Sequence, residues 1–247
     1  PWIAPHDPEE MSMLDTLSPV SWEHPLGTDT LGRDLLSRII FGARTSLLIS
    51  FVAVGSASIV GMLLGLIAGY LGGWMSAVIM RFIDALMAFP MIVLAMMIAA
   101  LLGGGTTNVV IALTIGLIPS YTRLMCGQVL SIKENDYVLA SEAGGAGRLR
   151  IIFNHLFINS FPPLIVLMTM MLGATVLAEA GLSFLGIGIV PPTIAWGSLV
   201  AEGRSHLGSY PILSIAPGIM IMLLVFSCNM VGDGLRDALD PRLRGLL

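Results

Sequence analysis

The chain has 247 residues, of which 55% are hydrophobic and only 11% are charged. Ordinary soluble domains carry about 25% charged residues, so this composition excludes a soluble globular domain and indicates a protein embedded in membrane lipid. The formal net charge is −4, which excludes the strongly basic surface expected of a nucleic-acid-binding protein.

Residues 1–44 precede the first long apolar run. Within them, His24–Arg44 reads HPLGTDTLGRDLLSRIIFGAR and places apolar residues at helical spacing, with Asp34, Ser37 and Arg38 on the opposite side. This pattern predicts an amphipathic helix that lies at the membrane surface. Two interpretations remain open for it: a connector to the first span, or a docking surface for an external partner.

Five apolar runs are long enough to cross a bilayer, which takes about 20 mostly apolar residues. They cover Leu47–Leu71, about Met75 to Leu102, about Asn108 to Leu130, Asn159–Ala178 and Ile212–Val231. The sequence therefore predicts an all-α membrane domain over residues 45–232, and we expect a sixth span before Pro1. In the first run, Gly55, Gly61, Gly65 and Gly69 have the small-residue spacing that lets a second helix approach closely.

A polar loop over residues 133–159 interrupts the apolar runs. Its charged residues would each cost several kcal/mol in lipid, so the loop lies outside the membrane. Its pattern predicts two short helices, Tyr137–Ala143 and Leu149–Phe157, which are hinged at glycines 144, 145 and 147.

Lysine and arginine placement sets the sides of the membrane. Basic residues in this loop and in the tail over residues 233–247 place both in the cytoplasm. The Gly- and Pro-rich stretch Leu182–Tyr210 then forms an external loop that carries short interfacial pieces, with Trp196 suited to the interface.

Acidic residues in or beside the spans are candidates for function. Asp84 stands three residues after Arg81, which predicts an ion pair along one helix at the cytoplasmic interface. Glu179 lies near the outer end of its span, where it lines the pathway, forms an external gate or reaches the interface. The histidines at 6, 24 and 206 are isolated in the sequence, and no metal site is expected.

Several stretches together resemble a known family, the inner-membrane permease subunits of binding-protein-dependent ABC importers. The resemblance is strongest to the second permease of the dipeptide, oligopeptide and nickel branch, and it covers nearly the whole chain in the right order. The matching stretches are His24–Leu47, Met80–Pro90 (MRFIDALMAFP), the loop above, Leu182–Gly197 (LSFLGIGIVPPTIAWG) and Gly232–Gly245 (GDGLRDALDPRLRG).

The resemblance implies a coupling loop that docks in a groove of a cytoplasmic ATPase. Aligned on Gly145, the family's E-A-A pattern falls on Leu139, Ala140 and Ser141, so this chain departs from it at the glutamate, and Glu142 stands one helical turn on. The departure leaves open whether Glu142 takes over that contact. The residues implied in coupling are Tyr137, Leu139, Ala140, Ser141, Glu142, Gly145, Arg148 and His155.

The family also implies the fold and the partners. It predicts a type I importer (MetI-like) transmembrane domain that pairs with a homologous second permease, two ATPase subunits and an extracellular or periplasmic solute-binding protein. Di- and oligopeptides are the first expectation for the substrate, while nickel chelates and glutathione are carried by related systems. The chain has no GxxxxGK[ST] phosphate-binding motif, so ATP and magnesium are expected on the ATPases and no cofactor on this chain.

Two other classes of function compete with transport. A membrane-embedded enzyme would use Asp84, Glu179 or Asp233 as catalytic acids, and it would need such residues clustered at one depth. A channel would need a polar stripe along a span. The acids are instead scattered near both interfaces and the spans carry no such stripe, so the sequence favours a transport subunit of the bacterial or archaeal cell membrane with no catalytic residues.

Overall fold

The computed structural model describes residues 3–239, and the regular structure in this range is helical. Within the described range, nine α-helices follow the order α1 (Leu35–Leu71), α2 (Gly73–Met87), α3 (Met91–Leu102), α4 (Thr106–Lys133), α5 (Asp136–Ala143), α6 (Arg148–Arg150), α7 (Ile158–Phe184), α8 (Trp196–Gly203) and α9 (Ile212–Leu239). A π-helical segment, Ile151–Phe157, joins α6 to α7, and short 3-10 turns lie at Met13–Asp15 and Arg204–His206.

The chain folds into two compact units. Unit 1 contains the described residues up to Val52, together with Met96–Ala112 and Gly173–Ser227. Unit 2 contains Ala53–Ala95, Leu113–Leu172 and the described residues from Cys228 onward.

Four helices of the described residues are long and apolar enough to cross a membrane, and a bent pair brings the number to five if it counts as one span. The bent pair is α2 with α3, whose axes differ by 86°. The prediction of one continuous helix from about Met75 to Leu102 is therefore wrong. The reason is Pro90, which has no N–H and disfavours helical geometry at the residue before it. Its carbonyl instead accepts the N–H of Leu94 at 3.0 Å and starts α3.

Three other predicted boundaries differ from the structure because helices run on beyond the apolar runs. The first helix starts at Leu35, so no break separates a surface helix from the first span. At 37 residues it is about 55 Å long, longer than the roughly 30 Å hydrocarbon core. The fourth predicted span extends in both directions, over residues 148–184. Helix α9 continues to Leu239 through the start of the predicted tail, and residues 240–247 lie outside the described residues.

Unit 2 is held together by close packing of α1 on α4. A Cβ atom added at Gly61 would lie 2.5 Å from the Cβ of Tyr121, and one at Gly65 would lie 2.5 Å from the carbonyl oxygen of Thr122. The predicted close approach is thus found at these glycines, and at Gly69 against Val129, but not at Gly55, where nothing lies within 4 Å.

Unit 1 has its own core around Trp196. This side chain is buried among residues such as Leu35, Ile39 and Leu199, and its indole N–H donates to the carbonyl oxygen of Ile39 at 2.9 Å. The prediction that Trp196 lies at a membrane interface is wrong, because the protein supplies both the apolar contacts and the hydrogen-bond acceptor that an interface would offer.

Candidate functional site

The polar loop between α4 and α7 is fixed to unit 2 by one buried side chain of α5. Val138 is buried in the same apolar cluster as Ile132, Ile151 and Leu156. The backbone carbonyl of Asn135 starts the helix by accepting the N–H groups of Val138 and Leu139, at 2.9 and 3.2 Å. This attachment makes α5 part of the packed unit instead of a loose surface turn.

Gly145 ends α5 in a Schellman motif. Its N–H donates to the carbonyl of Glu142 at 3.0 Å, and the N–H of Ala146 donates to the carbonyl of Ser141 at 3.1 Å. This pattern requires a left-handed residue, and Gly145 has a φ of +82°. The expected glycine break thus has a definite geometry that directs the chain from α5 into α6.

The loop has two arms: the first is α5, and the second consists of α6 and the π-helical segment. The second arm continues without a break into the span that follows it. Helix α6, the π-helical segment and α7 form one uninterrupted helix over residues 148–184, with Ile151 and Leu156 buried. Single π-helical turns often occur at functional sites. A force applied to this arm would be transmitted directly along the helix.

His155 connects the two arms. Its Nε2 lies 3.2 Å from the Ser141 hydroxyl, and its ring centroid lies 5.9 Å from that of Tyr137. Of the residues implied in coupling, Ser141 and His155 therefore contact each other inside the loop. Tyr137, Leu139, Ala140, Glu142, Gly145 and Arg148 are exposed.

The exposed face of the loop is more apolar than the sequence pattern indicated. Tyr137 and Leu139 are 46% and 50% exposed, and on the second arm Leu149 and Phe153 are 71% and 56% exposed. Exposed large apolar side chains on a polar loop are typical of a protein-binding surface. Leu149 and Phe153 were not among the residues implied in coupling. Their four-residue spacing, which places both on one side of a helix, was the available signal.

Glu179 is a hydrogen-bonding centre in unit 1. The hydroxyl groups of Ser46 and Ser183 donate to its two carboxylate oxygens at 3.1 and 2.8 Å. The same hydroxyl oxygens accept the backbone N–H groups of Trp196 and Ile189, respectively. The side chain is fully buried, so it does not reach an interface. Its role in a gate or pathway stays a prediction.

The expected ion pair between Arg81 and Asp84 is wrong. Asp84 instead accepts from Arg123 of α4, with Oδ1 and Nη2 2.6 Å apart. An i,i+3 pair on one helix gains only a few tenths of a kcal/mol, so a cation reaching across from a neighbouring helix readily replaces it. Both side chains of the observed pair are about half exposed, and it contributes little to stability.

The polar side of the predicted amphipathic helix is buried. Arg38 donates through Nη1 to Asp29 at 2.5 Å and to Glu202 at 2.6 Å. Asp29 also accepts from Nε of Arg33 at 2.7 Å, and Asp34 accepts the N–H of Ser37 at 2.8 Å as the N-cap of α1. Helical spacing alone could not distinguish a solvated polar face from one that is neutralised by carboxylates elsewhere in the fold.

The histidines of the N-terminal segment are not isolated in space. His6, His24 and Asp34 each offer a ligand atom, and these atoms all lie within 4.8 Å of one another. The sequence separation of these residues concealed the cluster, since the usual metal-binding patterns rely on short spacings.

The fold matches chains in solved structures of ABC transporters. An inward-facing structure of the MetNI methionine ABC transporter matches with a TM-score of 0.67 at 17% identity, covering 83% of this chain and 98% of that chain. A crystal structure of an amino acid ABC transporter with histidines matches with a TM-score of 0.61 at 16% identity, covering 84% and 95%. At these identities the likeness establishes the architecture alone.

The family follows from the sequence. Residues 61–245 match the family described as binding-protein-dependent transport system inner membrane component, and the chain belongs to this family. It is a multi-pass membrane permease, a transport subunit and not an enzyme.

Relatives named as transport system permeases are similar over almost the full chain. The di/tripeptide transport system permease protein of Pseudomonas aeruginosa (strain UCBPP-PA14) is 44% identical over 250 residues, which covers 99% of this chain and 82% of that protein. The probable D,D-dipeptide transport system permease protein of Escherichia coli (strain K12) is 41% identical, with 99% and 82% covered. The glutathione transport system permease protein of Pectobacterium atrosepticum is 41% identical, with 98% and 81% covered.

Proposed function

We propose that this chain is one of two homologous permeases in an importer of di- and oligopeptides. The observation that carries the substrate class is the 44% identity to a di/tripeptide permease over 99% of the chain. Relatives named for dipeptide and glutathione transport lie at similar identity, and glutathione is itself a small peptide. The two permeases enclose the pathway between them, and an external solute-binding protein delivers the peptide.

We further propose that the loop over residues 136–159 couples transport to ATP hydrolysis in the cytoplasm. Its exposed anchors, Tyr137 and Leu139, suit a groove on an ATPase subunit, because tyrosine is a frequent hot-spot residue at protein interfaces and burial of a leucine side chain removes apolar surface from water. The Ser141–His155 contact makes the two arms move together, and the second arm continues into α7. Closure of two ATPase subunits would tilt this span and produce alternating access.

ATP and Mg²⁺ bind to the ATPase subunits in this proposal. The chain itself contributes no phosphate-binding loop. Its GGAG stretch at 144–147 forms the turn that ends α5 and the start of α6, and a P-loop would need a lysine and a hydroxyl residue after the glycines.

Uptake by the reconstituted complex tests the substrate class. The chain is assembled with its partner permease, two ATPases and binding protein in proteoliposomes, and the import of a labelled dipeptide is followed with ATP. The proposal predicts ATP-dependent uptake that excess unlabelled tripeptide abolishes and that an equal excess of a free amino acid leaves intact.

A matched complex in which the P-loop lysine of the ATPase is replaced serves as the control and is expected to show no uptake. Uptake of a non-peptide solute without any dipeptide import would refute the peptide assignment, while leaving the family membership in place.

A further inference from the structure

The N-terminal segment brings together three side chains with metal-binding chemistry. His6, His24 and Asp34 come from three separate turns of the chain, yet one ligand atom of each lies within 4.8 Å of the others. The backbone fixes each of them: the N–H of His6 donates to the Ser37 hydroxyl at 3.1 Å, Gly27 donates to the carbonyl of His24 at 2.9 Å, and Asp34 caps α1. The cluster is therefore part of the fold and not a chance approach of mobile side chains.

We propose that His6, His24 and Asp34 form a binding site for a divalent transition-metal cation of the zinc type. Nδ1 of His24 lies 3.0 Å from Oδ1 of Asp34, close to the separation of two atoms that share a metal at about 2.0–2.2 Å. A cation would replace the proton of this hydrogen bond and be ligated by both atoms. The ligand atoms of the three residues lie within 4.8 Å of one another, so a shift of His6 on the order of 1 Å lets all three bind one ion at about 2.0–2.2 Å.

The hydrogen bonding of the His6 ring nitrogens supports this residue as the third ligand. Its Nε2 donates to the carbonyl oxygen of Glu23 at 2.8 Å, which leaves Nδ1 of the neutral ring with a lone pair. Among residues 3–239, no hydrogen bond uses that atom. A ligating histidine whose other ring nitrogen donates to a carbonyl is the usual arrangement at metal sites, because the hydrogen bond fixes the tautomer.

The surroundings are those of a cation site. The three residues line a cavity of about 210 Å³, and its described lining holds four further carboxylates and no lysine or arginine: Asp7, Glu10, Asp15 and Glu23. These carboxylates attract a cation and can complete its coordination. Two imidazoles favour zinc and its neighbours over calcium or magnesium, which prefer oxygen ligands.

A metal here would link the start of the described chain to the N-terminus of α1. This inference does not rest on the proposed peptide transport, since the cluster lies within unit 1 and involves no residue of the coupling loop. The alternative is that the three residues form only the hydrogen-bonded cluster that the geometry shows.

Zinc binding to the full-length chain, purified in detergent through a tag without histidine, tests the proposal. After chelator treatment, zinc stoichiometry is measured by equilibrium dialysis and elemental analysis, and Co²⁺ absorption reports the ligand field. We expect one zinc per chain in the unmodified protein, and an affinity that falls more than about tenfold in His6→Ala and in His24→Ala. The matched control is His206→Ala, which removes a histidine from the 3-10 turn after α8 and is expected to bind like the unmodified protein.

His6→Ala carries the test if His24→Ala fails to fold, since His6 loses only one exposed side-chain hydrogen bond. Thermal unfolding gives a second readout: zinc should raise the melting temperature of the unmodified protein and of His206→Ala, but not of His6→Ala. Zinc binding weaker than a Kd of about 1 mM, or binding that His6→Ala leaves unchanged, would overturn the proposal.

Discussion

Replacing Gly65 by alanine is expected to destabilise unit 2 by forcing α1 away from α4. A Cβ atom there would lie 2.5 Å from the carbonyl oxygen of Thr122, 2.6 Å from the Cβ of Met125 and 2.9 Å from the amide nitrogen of Cys126. Favourable contacts between such atoms lie at about 3.5–4.0 Å, so the helices must separate by roughly 1 Å. Two of the three atoms belong to the backbone, which no rotamer change can move aside.

The magnitude follows from two opposing contributions. Overpacking of this kind costs about 1–3 kcal/mol, whereas alanine gains about 0.8–1.0 kcal/mol over glycine in helix propensity. Gly55 lies on the same helix with nothing within 4 Å of its Cβ position. Gly55→Ala therefore carries the propensity gain alone, and the difference between the two variants isolates the overpacking cost.

Thermal unfolding of both variants in the same detergent measures that difference. For a chain of this size, 1 kcal/mol corresponds to about 2–4 °C, so Gly65→Ala should melt about 2–12 °C below Gly55→Ala. A Gly65→Ala protein that melts at or above the temperature of Gly55→Ala would refute the close packing of α1 on α4.

Substitutions at three further positions test the loop and unit 1. Gly145→Ala places a side chain at a φ of +82° and should cost about 1–2 kcal/mol, which hydrogen exchange would detect as faster exchange of the amides in the turn at 144–146; unchanged exchange would contradict the Schellman assignment. Glu179→Ala should lose about 1–3 kcal/mol in thermal unfolding, while Glu179→Gln keeps an acceptor for a serine hydroxyl and should lose less; equal losses would mean that the hydrogen bonds contribute nothing. Arg38 donates to the two carboxylate oxygens of Glu202 from Nη1 at 2.6 Å and from Nη2 at 3.2 Å. Arg38→Lys replaces this bidentate contact by a single ammonium and should cost about 1–3 kcal/mol, and a melting temperature equal to that of the unmodified protein would contradict a structural role for this contact.

Hydropathy predicted the helical class and four of the five spans, since these depend on apolar runs that any membrane helix must contain. The fifth is found only if the bent pair of α2 and α3 counts as one span. Hydropathy did not predict where the helices end. Helices α1 and α7 extend beyond their apolar runs because backbone hydrogen bonds continue where the surroundings are protein or water. The break between α2 and α3 lies within an apolar run, at Pro90. Proline has no N–H and disfavours a continuous helix, and this property was the sequence signal for the break.

The loop was predictable in its first helix and its break, and not in its contacts. Polar residues and three glycines indicated two short helices with a break, and Gly145 stands at the break, but the second helix is the start of the longer helix over residues 148–184. The contact between Ser141 and His155 depends on how the two arms cross, which periodicity does not determine. This contact shows that Ser141 and His155, two residues implied in docking, bind each other within the loop.

The N-terminal segment was the least predictable part of the site. Its polar residues were assigned to the polar side of a helix at the membrane surface, whereas the fold neutralises Arg38 with Asp29 and Glu202, residues 9 and 164 positions away. The pairing of His6 with His24 has the same origin. Contacts between residues that are distant in sequence leave no periodic signal, so a sequence pattern shows that charged groups exist and not which partners they meet.

Site-specific photo-crosslinking tests the central claim, that the exposed face of α5 docks on an ATPase. A photoreactive amino acid replaces Leu139 in the assembled importer, and a second variant carries it at Leu207 as the control. The two leucines are matched in exposure, at 50% and 49%, and Leu207 lies in the connection between α8 and α9. The account predicts an adduct with the ATPase from position 139 and none from position 207. An ATPase adduct from 207, or none from 139 in a complex that hydrolyses ATP, would contradict it.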